Sequence, residues 1–356
     1  MYLESTYLTQ KGKRVGVIMY DLEKYCQNIF NKSFDDIIKG INKEDYFSFS
    51  IPKKKGVRKI YTLPNESELK KLQKLLLNRV FSGYSFPTPV KGFLKGESYK
   101  NFLLPHIGSK YFIRIDIQDF FNSIKYKHVE EFLEDVVTIN DGEQKKNLFN
   151  LIWEIVSYNE SIPQGVITSP IISNLIFRKL DQRILKYCQL FNIEYTRYAD
   201  DLLFSSQTFN FIKQKWFVKK IKYILSSKKF RINYNKIKYG YKEISLNGFV
   251  VSSTDIRLSR SRLFDVRRIL SFIKKHPPIT DQETYLHGIN KLELKHYNII
   301  LYPFTSYYRL IQFLSGFRSF IISWIDDEIY NKESQRNLQK LICRIEKAIS
   351  ILSDLC

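Results

Sequence analysis

An α+β fold is what the sequence predicts, and three observations carry it. Two short apolar runs, 112–121 and 193–204, have the length of strands and are broken by single acidic residues or pairs of them. Between and around them lie stretches with helical spacing, such as Leu69, Leu72, Leu75, Leu76 and Leu77, with Lys70, Lys71 and Lys74 facing water. From about Ser252 onward the chain reads as helices alone, with Leu263, Val266, Ile269, Leu270 and Ile273 on one side and many arginines on the other.

The acids are the informative part. Tyr198-Ala199-Asp200-Asp201 sits between Ile193, Tyr195 and Leu202, Leu203, Phe204, which reads as a strand–turn–strand hairpin with two carboxylates at its tip. Adjacent like charges repel and are costly to desolvate. A divalent cation relieves both costs, and Mg²⁺ suits a site of one or two carboxylates plus substrate phosphates. A solvated Asp–Asp turn is the plainer alternative. Upstream, Asp116 interrupts the strand-like run 112–121, where alternation puts Arg114, Asp116 and Gln118 on the face opposite Ile113, Ile115 and Ile117. A third block, 162–175, is a Pro/Gly-punctuated loop entering an apolar helix at Ser169-Pro170.

In this order the three blocks resemble the palm of a reverse transcriptase: the aspartate strand, the Pro163-Gln164-Gly165 loop with its Ser-Pro-x-x-Ser-Asn helix, and Tyr-Ala-Asp-Asp. The resemblance covers roughly residues 50–325. It implies a right-hand polymerase fold: an N-terminal helical extension at 1–49, fingers and palm at 50–251 with the catalytic aspartates on an antiparallel sheet, and a helical basic thumb and C-terminal region at 252–356. The activity implied is RNA-directed DNA synthesis by two-metal phosphoryl transfer. Asp116, Asp200 and Asp201 would be the catalytic and metal-holding carboxylates, with the Ile117 carbonyl as a further ligand, for two Mg²⁺ or alternatively Mn²⁺.

Further residues take roles from the same resemblance. The basic hairpin 50–64 looks like the fingers loop that closes on the incoming nucleotide, with Arg58 on the triphosphate and Lys53 or Lys54 assisting. Phe121, five residues after Asp116, matches the aromatic gate against a 2′-hydroxyl, while Phe120 reads as core. Gln164 and Gly165 match the loop that packs on template and nucleotide, and Lys236 in Asn-x-x-Lys matches a general acid for pyrophosphate. Gly92 and Gly96 belong to a Gly-Phe-x-x-Gly-x-Ser segment like that of bacterial retron enzymes, and are expected to let template backbone approach.

Helices are expected over 15–25 and 30–41, and over 211–229 with Ile212, Trp216, Val218 or Lys219, Ile221 and Leu225 on one side. A strand is expected over 230–236, a helix over 307–329, and a helix carrying Arg257, Arg260 and Arg267 that ends at Pro277-Pro278. Those three arginines are candidates for phosphate contacts, against the alternative of a solvated face.

The net charge of +21 favours a polyanion as partner. Expected partners are an RNA template, the DNA product, deoxynucleotides, a noncoding RNA and, as an open question, an effector protein. No signal peptide, membrane span, RNase H or maturase extension is expected, and the four scattered cysteines fit a reducing cytoplasm. Two departures from the retron pattern, Phe102-Leu103-Leu104-Pro105-His106 and Leu246-Asn247-Gly248, tilt the reading toward a defence-associated relative, with a retron enzyme making RNA-linked DNA as the alternative. The alternative of another class is an inactive RNA-binding protein on a polymerase fold.

Overall fold

A computed structural model describes residues 17–18, 21–52, 56–295, 297, 299, 302–325 and 332–356. The chain divides into two compact units, and β4 and β7 pass from one into the other.

The first unit begins with β1 (Val17–Ile18), which pairs in parallel with β5 (Val137–Thr138). Helix α1 (Leu22–Phe30) starts only where the Asp21 side chain accepts from the Lys24 N–H, and Asn31 ends it in the left-handed region at φ 56°. Ser33 caps α2 (Phe34–Lys39) in the same way. The two helices expected at 15–25 and 30–41 are therefore shifted and shortened by their capping residues. Strands β2 (Phe47–Pro52) and β3 (Val57–Thr62) form the expected antiparallel hairpin, with Ile51 opposite Arg58 and Gly56 turning at φ 83°. Lys53 and Lys54 lie outside the described residues.

Helix α3 (Glu68–Leu76) buries Leu69, Leu72 and Leu76 as the spacing requires. The short α4 (Tyr99–Leu103) leads to β4 (Tyr111–Asp116). Helices α5 (Tyr126–Val136) and α6 (Gly142–Val156) follow, and then α7 (Ser169–Gln189), which starts at Ser169-Pro170 as read. The hairpin β6 (Glu194–Tyr198) and β7 (Asp201–Ser206) carries the acids at its tip, with sheet order β4-β7-β6.

Helix α8 (Trp216–Ser226) buries Phe217, Val218, Ile221, Ile224 and Leu225. Trp216 and Ile212, expected inward, are exposed. The Phe217 ring packs edge-on against Phe204 at 5.1 Å, and Trp216, one residue earlier, stands against Phe191 at 5.3 Å. The segment after α8 is not the expected strand. Only Ile232 makes a bridge, to Ile117, and Tyr234–Lys236 is a 3₁₀ turn.

The second unit takes the sheet in the order β11-β10-β9-β8-β4. Its strands are β8 (Lys238–Tyr241), β9 (Glu243–Leu246), β10 (Phe249–Ser252) and β11 (Ile256–Leu258). Arg257 lies in β11 opposite Val250, not on the helix expected to carry it. That helix, α9 (Arg260–Lys275), begins at the Ser259 cap and stops before Pro277-Pro278. Helices α10 (Gln282–Asn290), α11 (Tyr307–Trp324) and α12 (Lys332–Ser353) complete the unit.

The inward face of α9 carries the apolar residues read from spacing, and one acid besides. Asp265 is buried and accepts the N–H groups of Lys295 at 2.7 Å and Tyr297 at 2.9 Å. Removing the carboxylate breaks two hydrogen bonds to an ionised acceptor, a class worth roughly 1.5–3 kcal/mol each at most. Asp265→Ala is expected to lower stability by about 2–3 kcal/mol in denaturant titration, and a loss under about 0.5 kcal/mol would contradict this account.

Candidate active site

The first unit brings the aspartate strand, the Tyr-Ala-Asp-Asp turn and the segment after α8 together through backbone bonds. The Ile117 N–H donates to the Asp200 carbonyl at 3.0 Å, and the Asn233 N–H donates to the Asp116 carbonyl at 2.8 Å. The end of β4, the tip of the β6–β7 hairpin and the segment after α8 therefore meet at Asp116.

Each carboxylate there has a different environment. Asp116 is buried, and Lys236 Nζ donates to both of its oxygens at 3.0 Å. Asp201 is also buried, and its Oδ1 accepts from Arg114 Nε at 2.8 Å and from Nη2. Burial, together with the charges of Asp201 and Asp116, pushes the Asp200 carboxyl up to about 6. Arg114, which alternation placed beside Asp116 on one face, was not read as a site residue, although the same alternation marks it.

The turn itself is tightly built. Ala199 takes a left-handed φ of 55°. A Cβ on Gly92 would stand 2.6 Å from the Ala199 nitrogen, so Gly92 allows a close approach to the protein's own turn. Gly96 has φ 82° and open space around it. Gly165 has φ 106°, and a Cβ there would meet Ile60 Cγ2 at 2.5 Å, while the Gln164 carbonyl accepts from the Tyr61 N–H at 2.8 Å. This loop is thus fastened to β3, and Arg58, exposed, lies on the same strand.

Phe120 is core and Phe121 is half-buried, with ring centroids 5.3 Å apart. Phe121 also faces Phe93 at 6.2 Å, and Phe93 faces Tyr198 at 6.2 Å. Aromatic rings therefore stand beside the acidic turn.

In the second unit, Arg260 and Arg267 are exposed on α9 and line a cavity of ≈ 630 Å³ with Arg257, Ser245, Ser259 and Asn337. Arg257 is already engaged, by Asp255 at 3.1 Å and by Glu243.

Among the described residues no three His, Cys, Asp or Glu side chains form a ready metal cluster. Two carboxylates with a backbone carbonyl fit Mg²⁺ nonetheless, because such sites take their remaining ligands from water and substrate phosphates. What favours a cation there is the donor set, since the Ile117 N–H to Asp200 carbonyl bond holds the end of β4 and its Asp116 against the turn that carries Asp200. No helix among the described residues is long and apolar enough to cross a membrane.

Comparison with known proteins gives the family. The family model described as reverse transcriptase (RNA-dependent DNA polymerase) matches residues 41–251. The chain is 30% identical over 226 residues to the retron Ec86 reverse transcriptase of Escherichia coli, covering 62% of this chain and 68% of that one. It is 37% identical over 163 residues to the retron Ec73 reverse transcriptase of Escherichia coli, covering 43% of this chain and 51% of the relative. With the retron Mx162 reverse transcriptase of Myxococcus xanthus the identity is 29% over 172 residues, 45% of this chain and 35% of that one. The chain thus spans about half or less of the length of the latter two. Among solved structures, a Candida albicans telomerase aligns with a TM-score of 0.44 and 13% identity over 87% of this chain and 65% of that chain. The chain belongs to the reverse transcriptases, the RNA-directed DNA polymerases, and among them to the bacterial retron type.

Proposed function

We propose that this polymerase copies a structured noncoding RNA into DNA at Asp116 and Asp200, with Asp201 in support, and that it serves antiphage defence. The observation that supports the site is the meeting of three carboxylates at two strand ends, where burial first and the charges of Asp201 and Asp116 second raise Asp200 to about 6. Asp116, Asp200 and the Ile117 carbonyl are the residues that would hold two Mg²⁺. Bound there, the ions supply charge neutralisation on the triphosphate and lower the pKa of the primer hydroxyl.

The chain's own residues do the rest. Arg58 presents a planar fork to the triphosphate. Lys236, whose ammonium stands against both Asp116 oxygens, is the general acid for the pyrophosphate. Phe121 bounds the sugar side and rejects a 2′-hydroxyl. Arg260 and Arg267 contact phosphates of the nucleic acid, an assignment supported by their exposure in one cleft and by the +21 charge. The retron names of the relatives support the noncoding RNA as template.

Incorporation of labelled deoxynucleotide on a primed RNA tests the site. Asp200→Asn is expected to leave no measurable incorporation, and Phe121→Val to admit ribonucleotides. Substantial synthesis by the first variant, or unchanged sugar discrimination in the second, would remove the corresponding role.

The same carboxyl makes a stability prediction. Its folded value of about 6 lies above the ordinary 3.8, so between those two values the folded state holds more protons than the unfolded state. Stability therefore falls as pH rises through that window, by about 2–3 kcal/mol in all. Asp200→Asn removes the charge, so its melting temperature should exceed wild type at pH 8 and match it at pH 4. A variant that melts lower than wild type at pH 8 would contradict the crowding.

For the arginines, each lost phosphate contact flattens the log–log salt dependence of binding by about 0.7–0.9. Arg260→Ala with Arg267→Ala should weaken binding to all sequences and flatten the slope by roughly 1.5–2. Unchanged affinity and slope would assign this face to solvent.

A further inference from the structure

Under the acidic turn lies a charged network that the chemistry above does not use. Arg197, on β6, is completely buried. Its Nε donates to Asp181 Oδ1 at 2.8 Å and its Nη2 to Oδ2 at 2.7 Å. Tyr195 Oη donates to the same Asp181 Oδ1 at 2.7 Å. The remaining arm of the guanidinium, Nη1, donates to the Ala199 carbonyl at 3.2 Å, and the Phe177 ring lies 4.8 Å from Cζ.

A buried ion pair is weak evidence of a stabilising role, because apolar residues of similar volume often do as well or better. What such residues cannot do is reach the Ala199 carbonyl. That carbonyl belongs to the peptide joining Ala199 to Asp200, at the left-handed residue of the turn. Helix α7 acts on the turn a second time. Asn174, seven residues before Asp181 and so on the same helix face, donates to the Gly92 carbonyl at 2.9 Å. Gly92 in turn packs against the Ala199 nitrogen. One helix face thus grips both sides of the Ala199 residue.

We propose that Arg197, oriented by Asp181 and Tyr195, is a positioning residue that fixes the Ala199–Asp200 peptide and through it the direction of the Asp200 carboxylate. The proposal rests on the reading that Asp200 is catalytic. A rigid anchor matters there because a misplacement of about 1 Å in a reacting group costs on the order of 10²-fold in rate.

The test compares the full chain with the apolar replacement Arg197→Met, Asp181→Leu, Tyr195→Phe, which removes the network while filling its volume. Two quantities are read: amide hydrogen exchange of residues 198–202 without nucleotide or divalent ion, and kcat and KM on a primed RNA template. The expected result is exchange at the turn at least about tenfold faster, kcat lower by about 100-fold, and KM for primed template within about twofold of wild type. A folded variant with turn exchange and kcat both within about twofold of wild type would overturn the proposal and leave the network as packing. Should the triple variant fail to fold, Arg197→Lys decides, because it keeps the charge on Asp181 but lacks the fork. Faster turn exchange with kcat down by about tenfold or more supports positioning, and wild-type values of both overturn it. If the wild-type chain incorporates nothing, the reading of Asp200 as catalytic fails, while the exchange measurement still decides whether Arg197 fixes the turn.

Discussion

Carboxylates held close together inside a protein repel one another, and the fold of the first unit is arranged around that repulsion. Two of the three are matched by cations, Asp116 by Lys236 and Asp201 by Arg114. For Asp200 the raising influences outweigh the lowering ones, and its proton affinity rises. Keeping such a group ionised needs added positive charge, which is the condition under which a cation binds most strongly. The same crowding destabilises the fold in the absence of that charge, a trade-off expected where activity requires strain.

Holding the group in place requires unusual backbone around it. Ala199 and Gly165 both have positive φ, and Gly92 and Gly165 admit neighbours where a Cβ would not fit. Each of these positions joins two parts of the chain that are far apart in sequence. Gly92 seats the segment before α4 on the turn, and Gly165 seats the loop before α7 on β3. The glycines that looked suited to nucleic acid are in part the protein's own joints.

Much of this was legible in sequence because the signals are local. Strand-length apolar runs, an Asp-Asp turn and Ser-Pro at a helix start each fix a few residues of geometry without outside help. The misreadings share a cause, in that tertiary partners decided what local pattern left open. The set from Ile212 to Leu225 fits a helix nearly as well as the buried set from Phe217, and only packing against Phe204 chooses between them. Residues 230–236 have strand composition, yet a single bridge to Ile117 is all the pairing they find. Asn174 closes the Ser-Pro-x-x-Ser-Asn motif and Asp181 follows on the same helix, but what they hold is not legible locally, since their partners are 82 and 16 residues away. The retron departure at 102–106 is also resolved by packing. His106 is buried beside Ser205 at 2.7 Å, and burial lowers it to about 3, so the retained His is a neutral structural residue. Phe102, in the same segment, packs on Tyr198 of the acidic turn with ring centroids 5.9 Å apart, so this segment supports the turn.

The +21 charge is a sum, and its parts are not equivalent. Arg197 is enclosed with Asp181, Arg114 with Asp201, and Arg257 with Asp255 and Glu243. These arginines are occupied by the protein itself, and none of them is spare for a polyanion without breaking an internal pair. Arg257 shows the consequence most clearly: it lines the same cleft as Arg260 and Arg267, but its place in β11 sets it between two acids that already engage it. The arginines left exposed on α9, Arg260 and Arg267, are the ones proposed above for phosphate contact. Long-range attraction still follows the net charge. Short-range contact, by contrast, is open only to guanidinium groups that the fold leaves exposed, as it leaves Arg260 and Arg267.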